Sequence, residues 1–171
     1  PVDLHMDEHL STADSLTPKL IEMVLAHGLQ GRVSLSHGCV LAAFDAVTSA
    51  RCIDGLARAE ITVIALPETN LFLQDRGAGT PKRRGITLAH ELLSAGVKVR
   101  LGTDNVRDWF YPFGDGDMLT TALIASIAMH IDDPEILLDL ICVGRRDFYV
   151  GDAADLTLVL APLVTPRGES I

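Results

Sequence analysis

The sequence predicts an α/β protein made of successive β-strand–α-helix units. Segments typical of strands begin near residues 2, 33, 61 and 97, and each interval contains a segment with helical periodicity. The intervals of roughly 30 residues leave room for a crossover helix between parallel strands. Hydrophobic residues make up 48% of the chain and aromatic residues only 5%, so the predicted core is aliphatic and rich in alanine.

The first unit begins with the alternating segment VDLHM, which predicts a strand with Asp3 and His5 on the face opposite to its apolar side chains. The helix that follows, LTPKLIEMVLAHG, has Pro18 in its first turn and Gly28 at its end. We expect four residues to share one face of this helix, namely Leu20, Met23, Val24 and His27.

The next three units follow the same order. RVSLSHG predicts a strand and AVTSARCIDGLARA a helix, in which Gly55 is an unfavourable residue. ITVIALP predicts a strand that Pro67 ends, and a long loop is expected from Glu68 to about Gly85. ITLAHELLSAG predicts a helix and VKVRLGTDN a strand, and an aromatic loop then precedes two helices, MLTTALIASIAMH and PEILLDLICVG. ADLTLVLAP predicts a last strand.

Two architectures fit this series of elements. A complete (β/α)8 barrel typically needs about 250 residues, so four units make half of one. The alternative is a small open sheet with helices on both faces. A G-x-G-x-x-G turn after a strand is absent from the sequence, and so is a phosphate-binding loop, which argues against nucleotide binding of those types.

Charge and cysteine content restrict the partners and the compartment. The net charge is −9 without any basic run, which argues against a nucleic-acid or anionic-membrane partner. No apolar run reaches the ~18 residues that a membrane-spanning helix needs. Cys39, Cys52 and Cys142 form no C-x-x-C motif, so we expect free thiols in a reducing, cytoplasmic setting. The chain starts at Pro1 on a strand-like segment, so we expect it to be part of a longer protein.

Reactive side chains cluster at the carboxyl ends of the predicted strands. In a parallel α/β protein these ends lie at one edge, where functional sites form. Imidazole and carboxylate groups are ligands suited to zinc or ferrous iron. We expect the isolated His27, His90 and His130 to be structural. The strand-end groups are His5, Asp7, Glu8 and His9 after the first strand, His37 after the second, the segment PETN after the third, and Asp104 and Asn105 after the fourth.

His5 and His9 also have the spacing of the two histidines in a helical H-E-x-x-H zinc motif. Met6 stands where that motif has its glutamate, and the segment alternates as a strand does. The strand-end interpretation is therefore preferred, with His9 in a loop near the site.

The blocks LHMDEH, VSLSHG, PETNLFLQDR, PKRRGIT and LGTDNVRDWFYPFGDGDML resemble the cytosine deaminase branch of the amidohydrolase superfamily. The resemblance implies a (β/α)8 TIM-type barrel of which this chain supplies the C-terminal half, strands five to eight. It also implies that residues 1–150 form a partial barrel domain and that residues 151–171 belong to a C-terminal β-sandwich, with GDAADLTLVL as one of its strands.

The resemblance also implies roles for individual residues. His5 and Asp104 correspond to metal ligands for one divalent ion, zinc or iron. Glu8 corresponds to the acid/base residue, His37 to a histidine that hydrogen-bonds the reacting oxygen, and Asp104 also to an acceptor of the water proton. The residues implied to contact a small heterocyclic substrate are Asn105 and the aromatic-loop residues Trp109, Phe110 and Tyr111.

The sequence departs from the family pattern in ways that leave two hypotheses. The H-x-H pair that supplies two further metal ligands is absent, as is the glutamine-bearing strand, and Asn105 stands where a second aspartate is usual. The first hypothesis is a metal-dependent deaminase of cytosine or a related pyrimidine or triazine. The second is a non-catalytic half-barrel that oligomerises or binds a partner. Exposed sheet edges predict a homo-oligomer in either case.

Overall fold

Four parallel strands form one sheet in chain order in the computed structural model, which describes residues 1–77, 79–80 and 82–142. The strands are β1 (Val2–Met6), β2 (Val33–His37), β3 (Thr62–Ala65) and β4 (Val99–Leu101). The helices are α1 (Thr17–Ala26), α2 (Ala46–Arg58), α3 (Pro67–Leu73), α4 (Ala89–Ser94), α5 (Met118–Ala128) and α6 (Pro134–Ile141). The predicted repeat of βα units is confirmed. The strand predicted within residues 151–171, and the β-sandwich with it, lie outside the described residues.

Strand order decides between the two predicted architectures. A doubly wound sheet reverses its strand order at a switch point, whereas here each strand pairs with the next along the chain. The register is parallel throughout, with Met6 opposite His37 and Ala65 opposite Leu101. This progression is that of a partial (β/α)8 barrel.

The two faces of the sheet differ in polarity because side chains alternate along a strand. Leu35, Val63 and Val99 are at most 1% exposed and pack with the helices in the aliphatic core. The opposite face has a row in which His5, Ser36, Ile64 and Arg100 lie side by side in register. The apolar face thus forms the core, while the other face carries polar groups to the carboxyl edge.

The start of α1 depends on Asp7, which lies just after β1. Its carboxylate is buried and accepts four hydrogen bonds: from the Ser15 hydroxyl, the Leu16 backbone N–H, and the backbone N–H and hydroxyl of Thr17. No side chain within the helix start itself makes a capping hydrogen bond. Asp7 was a candidate site residue, but its position is that of a structural carboxylate that satisfies the orphan donors of α1.

Only two of the four residues expected on one face of α1 pack into the core. Leu20 and Val24 are buried, but Met23 is 49% exposed and His27 is exposed. Rotation of the helix instead turns Ile21 towards α2. A Cβ at Gly55 would lie 2.9 Å from Cδ1 of Ile21, so this close approach explains the glycine inside α2.

The loop predicted from Glu68 is also wrong at its start, because Pro67–Leu73 forms α3. Pro67 does end β3, but it is in the first turn of a new helix, a position that tolerates a missing N–H. Pro67 and the three residues after it are buried. A helix of seven residues that is buried at its start has no amphipathic pattern, so periodicity does not reveal it.

The three cysteines are free thiols, as the sequence predicts. Burial raises the pKa of the Cys39 thiol to about 12, so this group is inert near neutral pH. Among the described residues, no helix has the length and apolar character needed to cross a membrane.

Replacement of Asp7 by alanine is expected to lower the free energy of unfolding by about 2–4 kcal/mol, because four donors lose a charged acceptor. Asp14→Ala is the control, because it removes an exposed aspartate seven residues away. It is expected to change the free energy of unfolding by less than about 0.5 kcal/mol. Urea unfolding measures both. Equal effects of the two substitutions would show that Asp7 does not hold α1.

The contribution of Asp7 also depends on pH. Burial by itself raises its pKa, but the hydrogen bonds from Leu16, Thr17 and Ser15 outweigh burial, so the pKa is lowered. A carboxyl with a lower pKa in the folded state stabilises the protein above the pKa of the unfolded group, about 4. The difference between wild type and Asp7→Ala is therefore expected to shrink as the pH falls below that value and passes through the folded pKa.

Candidate active site

The side chains at three strand ends meet at the carboxyl edge of the sheet. Nδ1 of His5 lies 3.1 Å from Nε2 of His37. Asp104 places one carboxylate oxygen 3.8 Å from Nδ1 of His5 and the other 3.8 Å from Nε2 of His37. A carboxylate oxygen of Glu8 lies 3.6 Å from the same Nε2. The parallel register causes this convergence, since it places the last residue of β1 beside the last residue of β2.

Three of the strand-end residues have a left-handed backbone. The φ angles are 55° at Asp7, 76° at His37 and 60° at Asp104. Such angles are uncommon for residues other than glycine, and they concentrate at functional sites, where the surrounding fold enforces them. Asp7 and His37 stand directly at the ends of β1 and β2, and Asp104 follows β4 by three residues.

These groups open into a cavity of about 400 Å³. That volume suits a small heterocycle, because ligand pockets typically measure about 300–1,000 Å³. The lining residues are His5, Glu8, His37, Leu73, Gln74, Asp104, Asn105 and Phe110.

Six of the eight residues assigned to the site from sequence line this cavity, and Trp109 and Tyr111 do not. The Trp109 side chain is fully exposed, whereas Phe110 beside it contributes to the lining. Tyr111, also expected near the substrate, packs instead against Phe72, with ring centroids 5.0 Å apart. The structure therefore brings the predicted ligands and proton carriers together, and their individual roles stay predictions.

Sequence reasoning assigned no role to Leu73, Gln74 or Asn70. Asn70 ends the strand-end segment PETN, and all three residues lie in the block PETNLFLQDR that carries the family resemblance. Leu73 and Gln74 line the cavity from the end of α3. Asn70 is buried, and its side-chain nitrogen lies 2.9 Å from Nδ1 of His37.

The helical zinc motif considered for His5 and His9 is wrong. His5 lies in β1, and a helical turn begins only at Thr12. Nδ1 of His9 accepts a hydrogen bond from the backbone N–H of Ser11, in the loop next to the site.

His37 is buried in an environment that disfavours its charged form. Burial lowers its pKa, while the carboxylates of Glu8 and Asp104 raise it by a smaller amount, and the net shift is downwards. A neutral imidazole is therefore expected near neutral pH, with one nitrogen as a donor and the other as an acceptor.

Asn105 has a fixed orientation because of Asp108. The amide nitrogen of Asn105 donates to one oxygen of the Asp108 carboxylate at 2.5 Å, and the other oxygen accepts the backbone N–H groups of Phe110 and Tyr111 at 2.9 Å each. These bonds, led by the one from Tyr111, lower the pKa of Asp108. An ionised carboxylate only accepts, so the nitrogen side of the Asn105 amide must face it.

The group formed by His5, His37 and Asp104 can hold a metal ion. Their nearest donor atoms all lie within 4.8 Å of one another. Ligands at 2.0–2.2 Å from a tetrahedral zinc ion would be roughly 3.4 Å apart, which matches the observed separations. Two imidazoles and a carboxylate suit zinc or ferrous iron, so the donor set fits the metal that the resemblance implies.

The chain belongs to the amidohydrolase family, because residues 1–140 match the family model. The chain is 44% identical to a pterin deaminase of Rhizobium rhizogenes over 94% of its length. It also resembles the solved structures of 5-methylcytosine deaminase from Klebsiella pneumoniae with 5-fluorocytosine or phosphonocytosine bound, at 30% identity and a TM-score of 0.77 over 82% of the chain.

A third relative supports the fold alone. N-isopropylammelide isopropylaminohydrolase from Burkholderia multivorans is 21% identical, with a TM-score of 0.65 over 94% of this chain and 43% of its own. The chain spans 39% of the pterin deaminase and 35% of the 5-methylcytosine deaminase. The predicted resemblance to the amidohydrolases is thus confirmed, with the match limited to part of each relative.

The Asn105–Asp108 pair gives a test of how the aromatic loop is held. Asn105→Asp would place two carboxylates against each other, so we expect loss of stability and weaker ligand binding. The double variant Asn105→Asp/Asp108→Asn restores a donor–acceptor pair with the roles exchanged. We expect a coupling energy of about 1–3 kcal/mol from urea unfolding of the wild type, both single variants and the double variant. Additive effects would show that the contact does not hold the loop.

Proposed function

We propose that this chain is the C-terminal half, strands five to eight, of an amidohydrolase barrel whose complete form is a metal-dependent hydrolytic deaminase of a small nitrogen heterocycle. The observation that carries the proposal is the meeting of His5, Glu8, His37 and Asp104 at one cavity on the carboxyl edge of the sheet. Family membership supports hydrolysis of a carbon–nitrogen bond.

An aminopyrimidine ring is the proposed substrate core. Cytosine, 5-methylcytosine and pterin all contain this ring, and proteins named for deamination of the last two are among the relatives. The higher identity to the pterin deaminase, 44% against 30%, favours a pterin. This choice also agrees with Asn105, whose neutral amide replaces the second aspartate usual in cytosine deaminases.

The proposed chemistry divides among four side chains. His5 and Asp104 would hold a divalent ion, zinc or iron, which supplies Lewis acidity and lowers the pKa of water to about 7 when bound. Glu8 is half-exposed at the cavity, with a carboxylate oxygen 3.6 Å from Nε2 of His37. From there Glu8 can carry the first proton of the attacking water to the ring nitrogen and then the second proton of that water to the leaving amine.

His37 and Asp104 act on the same water. Asp104 accepts a hydrogen bond from it, which favours loss of its proton. His37 donates to the oxygen as it adds to the ring carbon and charge develops. The balance is one water consumed, one carbon–oxygen bond formed, one carbon–nitrogen bond broken and one ammonia released.

Replacement of Glu8 by glutamine in the full-length protein is expected to lower kcat by about 10²–10⁴-fold, because the amide cannot carry the proton. Metal content and Tm are expected to stay unchanged, since the substitution preserves shape. Glu22→Gln, an exposed change on α1 at a residue paired with Lys19, is the matched control and should keep full activity. A Glu8→Gln enzyme with most of its turnover would remove the acid/base assignment.

Removal of metal from the full-length protein by a chelator is expected to abolish ammonia release, and zinc or ferrous iron should restore it. The assay should compare pterin, cytosine, 5-methylcytosine and an aminotriazine by kcat/KM, with pterin expected to be the best substrate. Ammonia release that survives complete metal removal would contradict the metal requirement. Failure with the whole panel would contradict the substrate class and leave the non-catalytic hypothesis.

A further inference from the structure

Asn70 is the buried partner of His37 and is held rigidly. Both residues are 2% exposed, and they come from β2 and α3, 33 positions apart in the chain. The backbone of Asn70 is fixed on both sides, since its N–H donates to the carbonyl of Leu66 and its carbonyl accepts from the N–H of Gln74. The amide therefore meets Nδ1 of His37 at 2.9 Å from a fixed position.

The direction of this hydrogen bond decides what His37 offers to the cavity. A neutral imidazole carries one proton, on either Nδ1 or Nε2. An N–H donated to Nδ1 requires the proton to be on Nε2, so that His37 is a hydrogen-bond donor in the site. An amide carbonyl facing Nδ1 would require the proton there and leave the Nε2 lone pair free to bind metal.

The groups around His5 and around Nε2 of His37 indicate whether Asn70 donates to Nδ1 of His37 or accepts from it. Asp3 lies 3.4 Å from Nε2 of His5, and its carboxylate, which accepts the hydroxyl of Ser36, can only accept. Nε2 of His5 faces this carboxylate, so Nδ1, which faces Asp104 and His37, is the nitrogen left to offer a lone pair. Since that Nδ1 lies 3.1 Å from Nε2 of His37, the Nε2 of His37 must be the donor.

The carboxylates give the same answer. Oxygens of Glu8 and Asp104 lie 3.6 and 3.8 Å from Nε2 of His37. A proton on this nitrogen is attracted by both oxygens, whereas a lone pair would be repelled by both. The chain of donors thus runs from the Asn70 amide through His37 and His5 to Asp3.

We infer that Asn70 is a positioning residue that donates an N–H to Nδ1 of His37 and so keeps Nε2 of His37 protonated. His37 then donates a hydrogen bond to the reacting oxygen and does not ligate the metal, although its Nε2 lies among the donor atoms of the metal group. This inference rests on the proposed function for its effect on turnover, but the choice of tautomer rests only on the hydrogen bonds and carboxylate distances around the two rings.

The sharpest variant is Asn70→Asp in the full-length protein. A carboxylate of nearly the same size can only accept, so it draws the imidazole proton to Nδ1 and leaves the Nε2 lone pair facing the metal group. We expect kcat to fall at least about 100-fold while the zinc dissociation constant falls at least about tenfold, because His37 becomes an additional ligand. Asn70→Leu, also nearly isosteric, should lower kcat without tightening zinc.

A double substitution separates this role from a purely structural one. In the His37→Ala background, Asn70→Asp should leave the zinc dissociation constant unchanged, because the ring through which Asn70 acts is gone. Equal changes in zinc affinity with and without the ring would overturn the inference, and so would weaker zinc binding by Asn70→Asp. Zinc affinity needs no substrate, so these results hold even if the protein releases no ammonia from any heterocycle.

Wild-type protein gives a second test that survives misfolding of the variants. Nitrogen-15 NMR of histidine side chains in the metal-free, full-length protein distinguishes protonated from unprotonated ring nitrogens, and the signal missing from His37→Gln assigns the residue. We expect a proton on Nε2 and none on Nδ1 of His37. A proton on Nδ1 would overturn the inference whatever the variants do.

Discussion

Parallel pairing between β1 and β2 is the interaction on which the candidate site depends. Its register sets Met6 opposite His37, so that the rings of His5 and His37 meet with centroids 5.0 Å apart. A slip of one residue would turn the strand side chains to the opposite face and remove His5 from the polar row. Because β3 and β4 continue the same parallel ladder, Asn70 and Asp104 reach this edge from later strand ends. His5 and Asp104, 99 positions apart in the chain, thereby become neighbours.

The two adjacent acids after β1 show how one turn divides structural and chemical tasks. The positive φ of Asp7 sends its carboxylate into the protein, where it accepts the donors of α1. Glu8, the next residue, is left half-exposed beside the cavity and close to His37. The helix start and the proposed proton carrier therefore depend on the same backbone turn. A substitution that distorts this turn would lower both stability and activity, whereas substitution of Glu8 alone is expected to lower activity only.

Contacts with carboxylates fix which end of each amide and imidazole in the site donates a hydrogen bond and which end accepts one. An amide or a neutral imidazole can face either way, but each polar chain here ends at a carboxylate that only accepts. The Asn105 amide donates to Asp108, and the paired rings of His37 and His5 end at Asp3, whose carboxylate lies 3.4 Å from Nε2 of His5. Such anchors make the polarity of the cavity a fixed property before any ligand binds, as preorganised electrostatic stabilisation requires. β1 and β4 are the edges of the described sheet, where a complete barrel would continue.

The sequence by itself determined the parallel α/β class, the four strands, the amidohydrolase resemblance and the strand-end acids and histidines, because strand periodicity and residue chemistry are local properties. Only the tertiary structure decided the strand order, the burial of Asp7, the exposure of Met23 and Trp109, and the helix that begins at Pro67. It alone also brought Asn70 to His37 and Asp108 to the Asn105 amide. These outcomes depend on how helices rotate against the sheet and on which donor meets which acceptor. Neither produces a periodic pattern in the amino-acid sequence.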